Sequence, residues 1–284
     1  MLRVLRLLFF NFIFFSLAAS KHASKQPQIV ISTDQLNSSY LLMETSFETV
    51  RQMILNHSDI TNKKIKQRAN DVKLEIFKGE SPFGVLFACK NESVCSIKIQ
   101  ESFLLKFNPA KADDINALLA AIAHEFAHVI FDDLQDLFNR RSASLLTLKH
   151  SSCWNEALCQ YGLKSDCSKT FLKAKSEINT TENFNDLYSL RTSSNKDFES
   201  IKECLVKSEC AWFRDRERRA DLFAAFLFGK EKTKLFLNFF ENYVKDRYTK
   251  ADMNVIGSDF DSHDSFAFRI KYLDTHKLVF SLKK

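Results

Sequence analysis

The sequence predicts an α+β fold that is predominantly helical, with a small β-sheet packed beside one long apolar helix. Three observations carry this. Gly (5) and Pro (3) are scarce among the 284 residues, which disfavours a turn-rich all-β architecture. Apolar residues recur at helical spacing over much of the chain, most strongly in Asp113–Asp133. Strand-like alternation is confined to residues 72–100, just ahead of that stretch. At 45% hydrophobic residues there is material for one sizeable core, so the length suits one domain, or one domain with an insertion.

The N-terminus stands apart. Arg3 and Arg6 precede an apolar run, Leu7–Ala19, and the small residues Ala18, Ala19 and Ser20 follow. That order is the form of a secretory signal peptide, and the run is shorter than the roughly 20 residues a spanning helix needs. Residues 1–20 are therefore expected to export the chain to the periplasm or the medium. Membrane association is expected only if the segment stays uncleaved. Residues 21–39 read as a flexible lead-in and residues 40–284 as the functional domain.

Within that domain Tyr40–Asn56 reads as a helix, with Leu42, Phe47, Val50, Met53 and Ile54 on one side. Lys63–Asn70 is charged and fits a surface helix end or a loop. Val72–Phe77, Val85–Ala88 and Val94–Gln100 read as strands, separated by a turn region, Gly79–Gly84, that contains Pro82. Beyond Asp133, helices are expected at Leu134–Leu148, Cys153–Leu163 and Phe198–Cys210, with a polar loop or loosely packed helices over Phe171–Asp197. Residues 140–210 form a Cys-containing helical or loop insertion. Trp212–Lys230 is a strongly apolar helix. In Leu235–Tyr243, Phe236, Phe239, Phe240 and Tyr243 recur at helical spacing and belong in a core.

The formal charge of +6 is modest and its basic residues are scattered, so no nucleic-acid partner is expected. All seven cysteines lie beyond the signal segment, and in an exported chain they suggest disulfides. Cys89 and Cys95 flank a short KNESV stretch and are the candidates to close a hairpin. Cys204 and Cys210, on an unbroken helix, would be about 9 Å apart along the axis, too far to bridge each other. They are expected to pair with Cys153, Cys159 or Cys167, and an odd total leaves one thiol over.

The chemistry concentrates in the long helix, which contains His124-Glu125-Phe126-Ala127-His128. Four residues apart on a helix, His124 and His128 project from one face and can meet one metal ion. Glu125 is rotated by about 100°, so it can reach a water at the metal without being a ligand. Zinc hydrolases need this set: two nitrogen ligands, an open coordination position and an adjacent carboxylate base. This makes the helix zincin-like. Two histidines and a glutamate in so apolar a helix would be costly without such partners. A third ligand is needed, and Glu217, with Asp221 four residues on, supplies it from Trp212–Lys230. Asp221 would accept a hydrogen bond from a ligand histidine and fix its tautomer. The competing reading of that segment is a solvated face, since Arg214, Asp215, Arg216, Glu217, Arg218 and Arg219 form a charge run.

H-E-x-x-H followed by Glu217-x-x-Ala220-Asp221 resembles the M48 family of metallopeptidases. A third segment, His263-Asp264-Ser265-Phe266-Ala267-Phe268-Arg269-Ile270 with Leu273, looks like that family's H-P-S-x-x-x-R-I-x-x-L, departing from it with Asp264 in place of Pro. The resemblance runs from about Tyr40 to Leu273, with residues 140–210 covered by position only. The thermolysin-like gluzincins also use H-E-x-x-H and E-x-x-x-D, but the Ala before Asp221 and the long spacing favour M48.

The resemblance implies a zinc metalloendopeptidase acting on protein or peptide substrates, with one Zn2+ per chain held by His124, His128 and Glu217. Glu125 would be the catalytic base. His263 or Arg269 would support the oxyanion, although Arg269 serves equally well as a buried ion-pair partner of Asp221. If Val94–Gln100 is the sheet edge beside the cleft, Ile97 and Ile99 would line a substrate strand added to it. Unfolded or extended segments of exported proteins are then the expected substrates. The alternative is an exported zinc-binding chaperone-like or latent protein of the same fold. The oligomeric state is left open.

Overall fold

The computed structural model describes residues 33–79, 85–91, 94–133, 199–247, 257, 263–278 and 280. Its elements are α1 (Thr33–Asn56), α2 (Lys63–Asp71), β1 (Lys73–Phe77), β2 (Leu86–Asn91), β3 (Val94–Gln100), the one-turn α3 (Glu101–Leu104), α4 (Ala112–Ile130), α5 (Glu199–Phe228), α6 (Lys230–Lys245) and α7 (Phe266–Thr275). This is the expected α+β, mostly helical class, with a three-stranded mixed sheet beside a zincin-like helix. The chain divides into two compact units. The elements that build the candidate site belong to the unit formed by Phe12–Leu134, Arg216–Ile256 and Asp264–Lys284.

Helix α4 is the centre of that unit. No Gly or Pro interrupts it, and Asp113 and Asp114 in its first turn suit the positive end of the helix dipole. Its apolar residues surround the helix rather than forming a stripe, which is the pattern of a buried helix. Ala117, Leu118, Ala120, Ala121, Ile122, Ala123, Phe126, Ala127, Val129 and Ile130 are all buried. The alanines let neighbours approach closely: α1, α2, α6 and the sheet all pack on it.

In the sheet, β3 lies in the middle, parallel to β1 and antiparallel to β2. Leu74, Ile76, Ile97, Ile99, Leu86 and Ala88 share one face by register, and their cluster joins the core. The other face carries the Lys98–Glu75 ion pair at 2.6 Å. Two expectations fall here. Since β3 is paired on both sides it offers no edge to a substrate, and Ile97 and Ile99, both 0% exposed, are core residues. Cys89 and Cys95 form no disulfide. Cys89 pairs in register with Ser96, and Cys95 with Lys90; a one-residue offset sends the two thiols to opposite faces of the sheet. Burial pushes the Cys89 thiol pKa up, further from thiolate.

Cys210 forms no disulfide either. Cys153, Cys159, Cys167 and the Cys204 side chain lie outside the described residues, as do the expected helices at 134–148 and 153–163, the loop at 171–197 and residues 1–20.

Helix α1 begins at Thr33, ahead of the Tyr40 expected from its apolar stripe, because TDQLNSS has no apolar periodicity to mark it. The expected helix starting near Phe198 and the one at Trp212–Lys230 are a single element, α5. Gly229, at φ 90°, then turns the chain into α6 in a conformation that favours glycine. The aromatic residues of α6 pack as expected: Phe103 meets Phe239, Phe240 and Tyr243, and Phe107 stacks on Phe239 at 4.2 Å.

Candidate metal centre

His124 and His128 stand one turn apart on α4, so their rings leave from the same face. The rings meet edge-on with centroids 4.9 Å apart, and their Nε2 atoms are 3.2 Å apart. Helix α5 brings Glu217 to the same point. Its Oε2 lies 3.1 Å from His124 Nε2, and its Oε1 lies 3.3 Å from His128 Nε2. One ligand atom from each of these three residues lies within 4.8 Å of the others, the one such group among the described residues. With the distal glutamate, this is a gluzincin-type candidate site.

Each histidine has a carboxylate at its other nitrogen. His124 Nδ1–H donates to Asp221 Oδ1 at 2.9 Å, the role expected of Asp221. His128 Nδ1–H donates to Asp133 Oδ2 at 3.1 Å, a partner the sequence reading did not name. A carboxylate facing these nitrogens accepts, which places the ring protons on Nδ1. Both Nε2 atoms are then bare lone pairs, aimed at each other and at the Glu217 carboxylate. Three acceptors converge in a buried place with no donor among them, an arrangement that needs a cation or protons to satisfy it. Two imidazole nitrogens and a carboxylate oxygen are a zinc donor set with an open position left over. The residues therefore fit a single Zn2+.

The electrostatics agree. Burial pushes the His124 pKa down, but Asp221 and Glu217 outweigh it and the net direction is up. At His128 burial is again opposed, by Glu217 and Asp133, and the imidazole is held well above its usual range. The pocket thus favours positive charge at the point where the Nε2 atoms meet.

Glu125 follows His124 in sequence but turns toward the sheet. It is only 8% exposed, and its Oε2 accepts the Ala88 N–H of β2 at 2.7 Å. It is not one of the ligand group. Asp221, 1% exposed, is gripped by Arg269 of α7, Nε to Oδ2 at 2.8 Å and Nη2 to Oδ1 at 2.7 Å. Burial would raise the Asp221 pKa, but the guanidinium more than offsets it and the carboxyl stays below its usual range. Arg269 thus forms the ion pair that is one of its two expected roles, and its Nη2 lies 3.8 Å from Glu217 Oε2. His263 is half-buried and is not part of the ligand group.

Asp264, where the M48 pattern has Pro, accepts two bonds from Arg218 of α5, at 2.6 and 2.9 Å. Arg218 also lies over the Phe268 ring, 4.9 Å from its centroid, and Ser265 caps α7 by accepting the Phe268 N–H. The charge run on α5 is therefore not simply a solvated face: Arg218 holds Asp264, and Arg219 donates to Asp133. His57 meets the Phe226 ring at a tilt and His276 stacks on Tyr272.

No helix among the described residues is long and apolar enough to cross a membrane. No protein-family model matches the chain, and no curated protein or solved structure matches it.

Proposed function

We propose that the chain is an exported zinc-dependent metalloendopeptidase of the M48 type, cleaving unfolded or extended segments of protein substrates. The observation that carries this is the convergence of His124, His128 and Glu217 beside a carboxylate, Glu125, that is not a ligand. A structural zinc site closes with four protein ligands, whereas a catalytic one keeps three and an open position. The order of the three motifs supports the M48 reading. So does their contact: Asp221 of the second bonds His124 of the first, and Arg269 of the third bonds Asp221. The basic, apolar and small-residue order of residues 1–20 supports export.

His124, His128 and Glu217 would hold the zinc ion, which when bound supplies Lewis acidity and lowers the pKa of water toward neutrality. Asp221 and Asp133 keep the Nδ1 protons of the two histidines and so aim both Nε2 lone pairs into the site. Glu125 is the proton carrier. With Oε2 held by the Ala88 N–H, its Oε1 takes a proton from the attacking water and returns it to the leaving amine.

Strand addition moves from β3 to β2. The Val85 carbonyl accepts from the Gln100 N–H, so hydrogen-bonded pairs fall at alternate positions and Leu86, Ala88 and Lys90 turn their backbone groups outward, with the Ala88 N–H taken by Glu125. An extended peptide along that edge would lie next to Glu125. Recognition of this kind reads backbone more than side chains.

Metal content and casein cleavage, with and without chelator, test the reading in wild type and Glu125→Gln. Zinc is expected in both proteins. Cleavage is expected to be chelator-sensitive in the wild type and lowered by about 100-fold or more in the variant. A variant that cleaves normally removes Glu125 as the base, and zinc without cleavage in the wild type points to a latent or binding role.

A further inference from the structure

Helix α4 ends in a way that bears on one of its own ligands. The Asp132 N–H donates to the Val129 carbonyl at 3.2 Å, and the Asp133 N–H reaches back to the His128 carbonyl at 2.9 Å. Asp132 has φ 61°, the one described non-glycine residue in the left-handed region. These are the two bonds of a Schellman motif, with Asp132 where glycine usually sits. In such an ending the residue after the left-handed one folds back over the residue five positions earlier whose carbonyl it bonds, and the contact between them is commonly hydrophobic. Here those two residues are Asp133 and His128. Their contact is the hydrogen bond from His128 Nδ1 to Asp133 Oδ2 at 3.1 Å.

Arginines from two other helices hold this ending in place. Arg68 of α2 donates from Nη1 to the Ile130 carbonyl at 2.8 Å and from Nη2 to Asp132 Oδ2 at 2.7 Å. Arg219 donates to Asp133 Oδ1, and Arg216 Nε lies 3.6 Å from the same oxygen. Asp133 is 6% exposed. A carboxylate buried that far needs such partners.

We propose that the α4 ending is a positioning device for His128. Asp133 is the positioning residue: it keeps the proton on Nδ1 and turns Nε2 into the site. Asp132 and Arg68 keep the backbone in the one shape that brings Asp133 back. The proposal rests on the metal-centre reading above. It makes the two ligand histidines unlike. His124 is oriented by another helix, through the buried Asp221–Arg269 pair. His128 is oriented by the end of its own helix, through a carboxylate whose Arg219 partner is 38% exposed, and the orientation hangs on the conformation of one residue.

The test uses the full chain with Asp133→Ala, Asp132→Gly and Asp132→Val. Zinc affinity is read by competition with a chromophoric chelator. The His128 tautomer is read by long-range proton–nitrogen correlation in the metal-free chain at alkaline pH, and helix content by circular dichroism. Partners that orient a ligand histidine typically contribute 10- to 100-fold in affinity, so Asp133→Ala is expected to weaken zinc binding by about that factor and to shift His128 away from the Nδ1–H form, with helix content kept. Asp132→Gly adopts the left-handed conformation freely but gives up the bond from Arg68 Nη2, so it is expected to weaken zinc binding less than Asp132→Val does. Asp132→Val, which resists it, is expected to behave like Asp133→Ala.

Asp133→Ala with wild-type affinity and an unchanged tautomer overturns the proposal, as does Asp132→Val matching Asp132→Gly. A wild type that binds no zinc overturns the metal-centre reading instead; the tautomer comparison still decides whether Asp133 sets the His128 ring.

Discussion

Arg269→Met is the sharpest test of how the centre is built. Arg269 and Asp221 are 4% and 1% exposed, joined by two bonds of 2.8 and 2.7 Å. The Met side chain keeps much of the stem volume and removes the charge. Asp221 is then left as a buried carboxylate with the His124 Nδ1–H as its donor. Removing one partner of such a pair costs about 3–5 kcal/mol. At about 2–4 °C per kcal/mol for a chain of this size, Tm should fall by about 6–20 °C. The pair as a whole is a different matter, because replacing both members with apolar residues is often neutral or stabilising. Arg269→Met combined with Asp221→Leu is therefore expected to recover most of the lost stability. The same double variant leaves His124 without its carboxylate and should weaken zinc binding by about 10- to 100-fold. Stability and metal affinity thus move in opposite directions from the single to the double variant. Urea and thermal unfolding with chelator present isolate the stability effect, and a chelator competition gives the affinity. A loss below about 1 kcal/mol in Arg269→Met, within the range of ordinary substitutions, would refute the reasoning. So would a double variant no more stable than the single one.

Three further outcomes are expected. Zinc at about 1,000 times its Kd should stabilise the chain by about 4 kcal/mol in thermal unfolding, and Glu217→Ala should abolish that gain; an equal gain in the variant would remove Glu217 from the ligand set. Tyr40 donates to Glu101, and that bond, with burial and the carboxylate charge, pushes the phenol up to about 12. The neutral phenol is the form favoured in the fold, so its contribution is intact below the ordinary Tyr value of about 10 and is lost as pH rises from about 10 to 12. Stability in that window should fall more steeply for wild type than for Tyr40→Phe, and equal slopes would count against the bond. Ala220 is fully buried between Glu217 and Asp221 on α5. Ala220→Leu should lower stability by about 1–3 kcal/mol through overpacking and weaken zinc binding by moving Glu217, and an unchanged urea midpoint would show the site to be roomier than described.

The stretch that defines the molecule was legible because two independent signals coincide there: uninterrupted apolar periodicity and the spacing of His124, Glu125 and His128. Helix α4 spans Ala112–Ile130, against the expected stretch Asp113–Asp133. Glu217 and Asp221 were legible for the same reason, a spacing of four on an apolar helix. Strand faces were legible from alternation, but alternation says nothing about which strand neighbours which. That is why the substrate edge was assigned to β3 when β2 is the strand beside Glu125. The thiols failed for a related reason. A spacing of six across a hairpin suits a bridge by distance, and only the register puts Cys89 opposite Ser96. Asp133 went unseen because the apolar pattern stops before it, and no local signal marks a left-handed aspartate. The arginines of α5 read as solvated because their carboxylates are distant in sequence, Asp133 being 86 residues from Arg219 and Asp264 being 46 from Arg218.

The Ala88–Glu125 bond has a mechanical consequence. The three residues of the ligand group are fixed through helix-to-helix contacts, by α5, by α7 and by the end of α4. The carboxylate proposed to move the proton, Glu125, is moored to the rim of the sheet. Damage to the sheet, such as Ile97→Ala on β3 directly opposite Ala88, would then loosen proton transfer while the chain goes on retaining its ion. Metal content would report on only one of the two halves. A variant that keeps its zinc and loses its turnover would mark the seam between them.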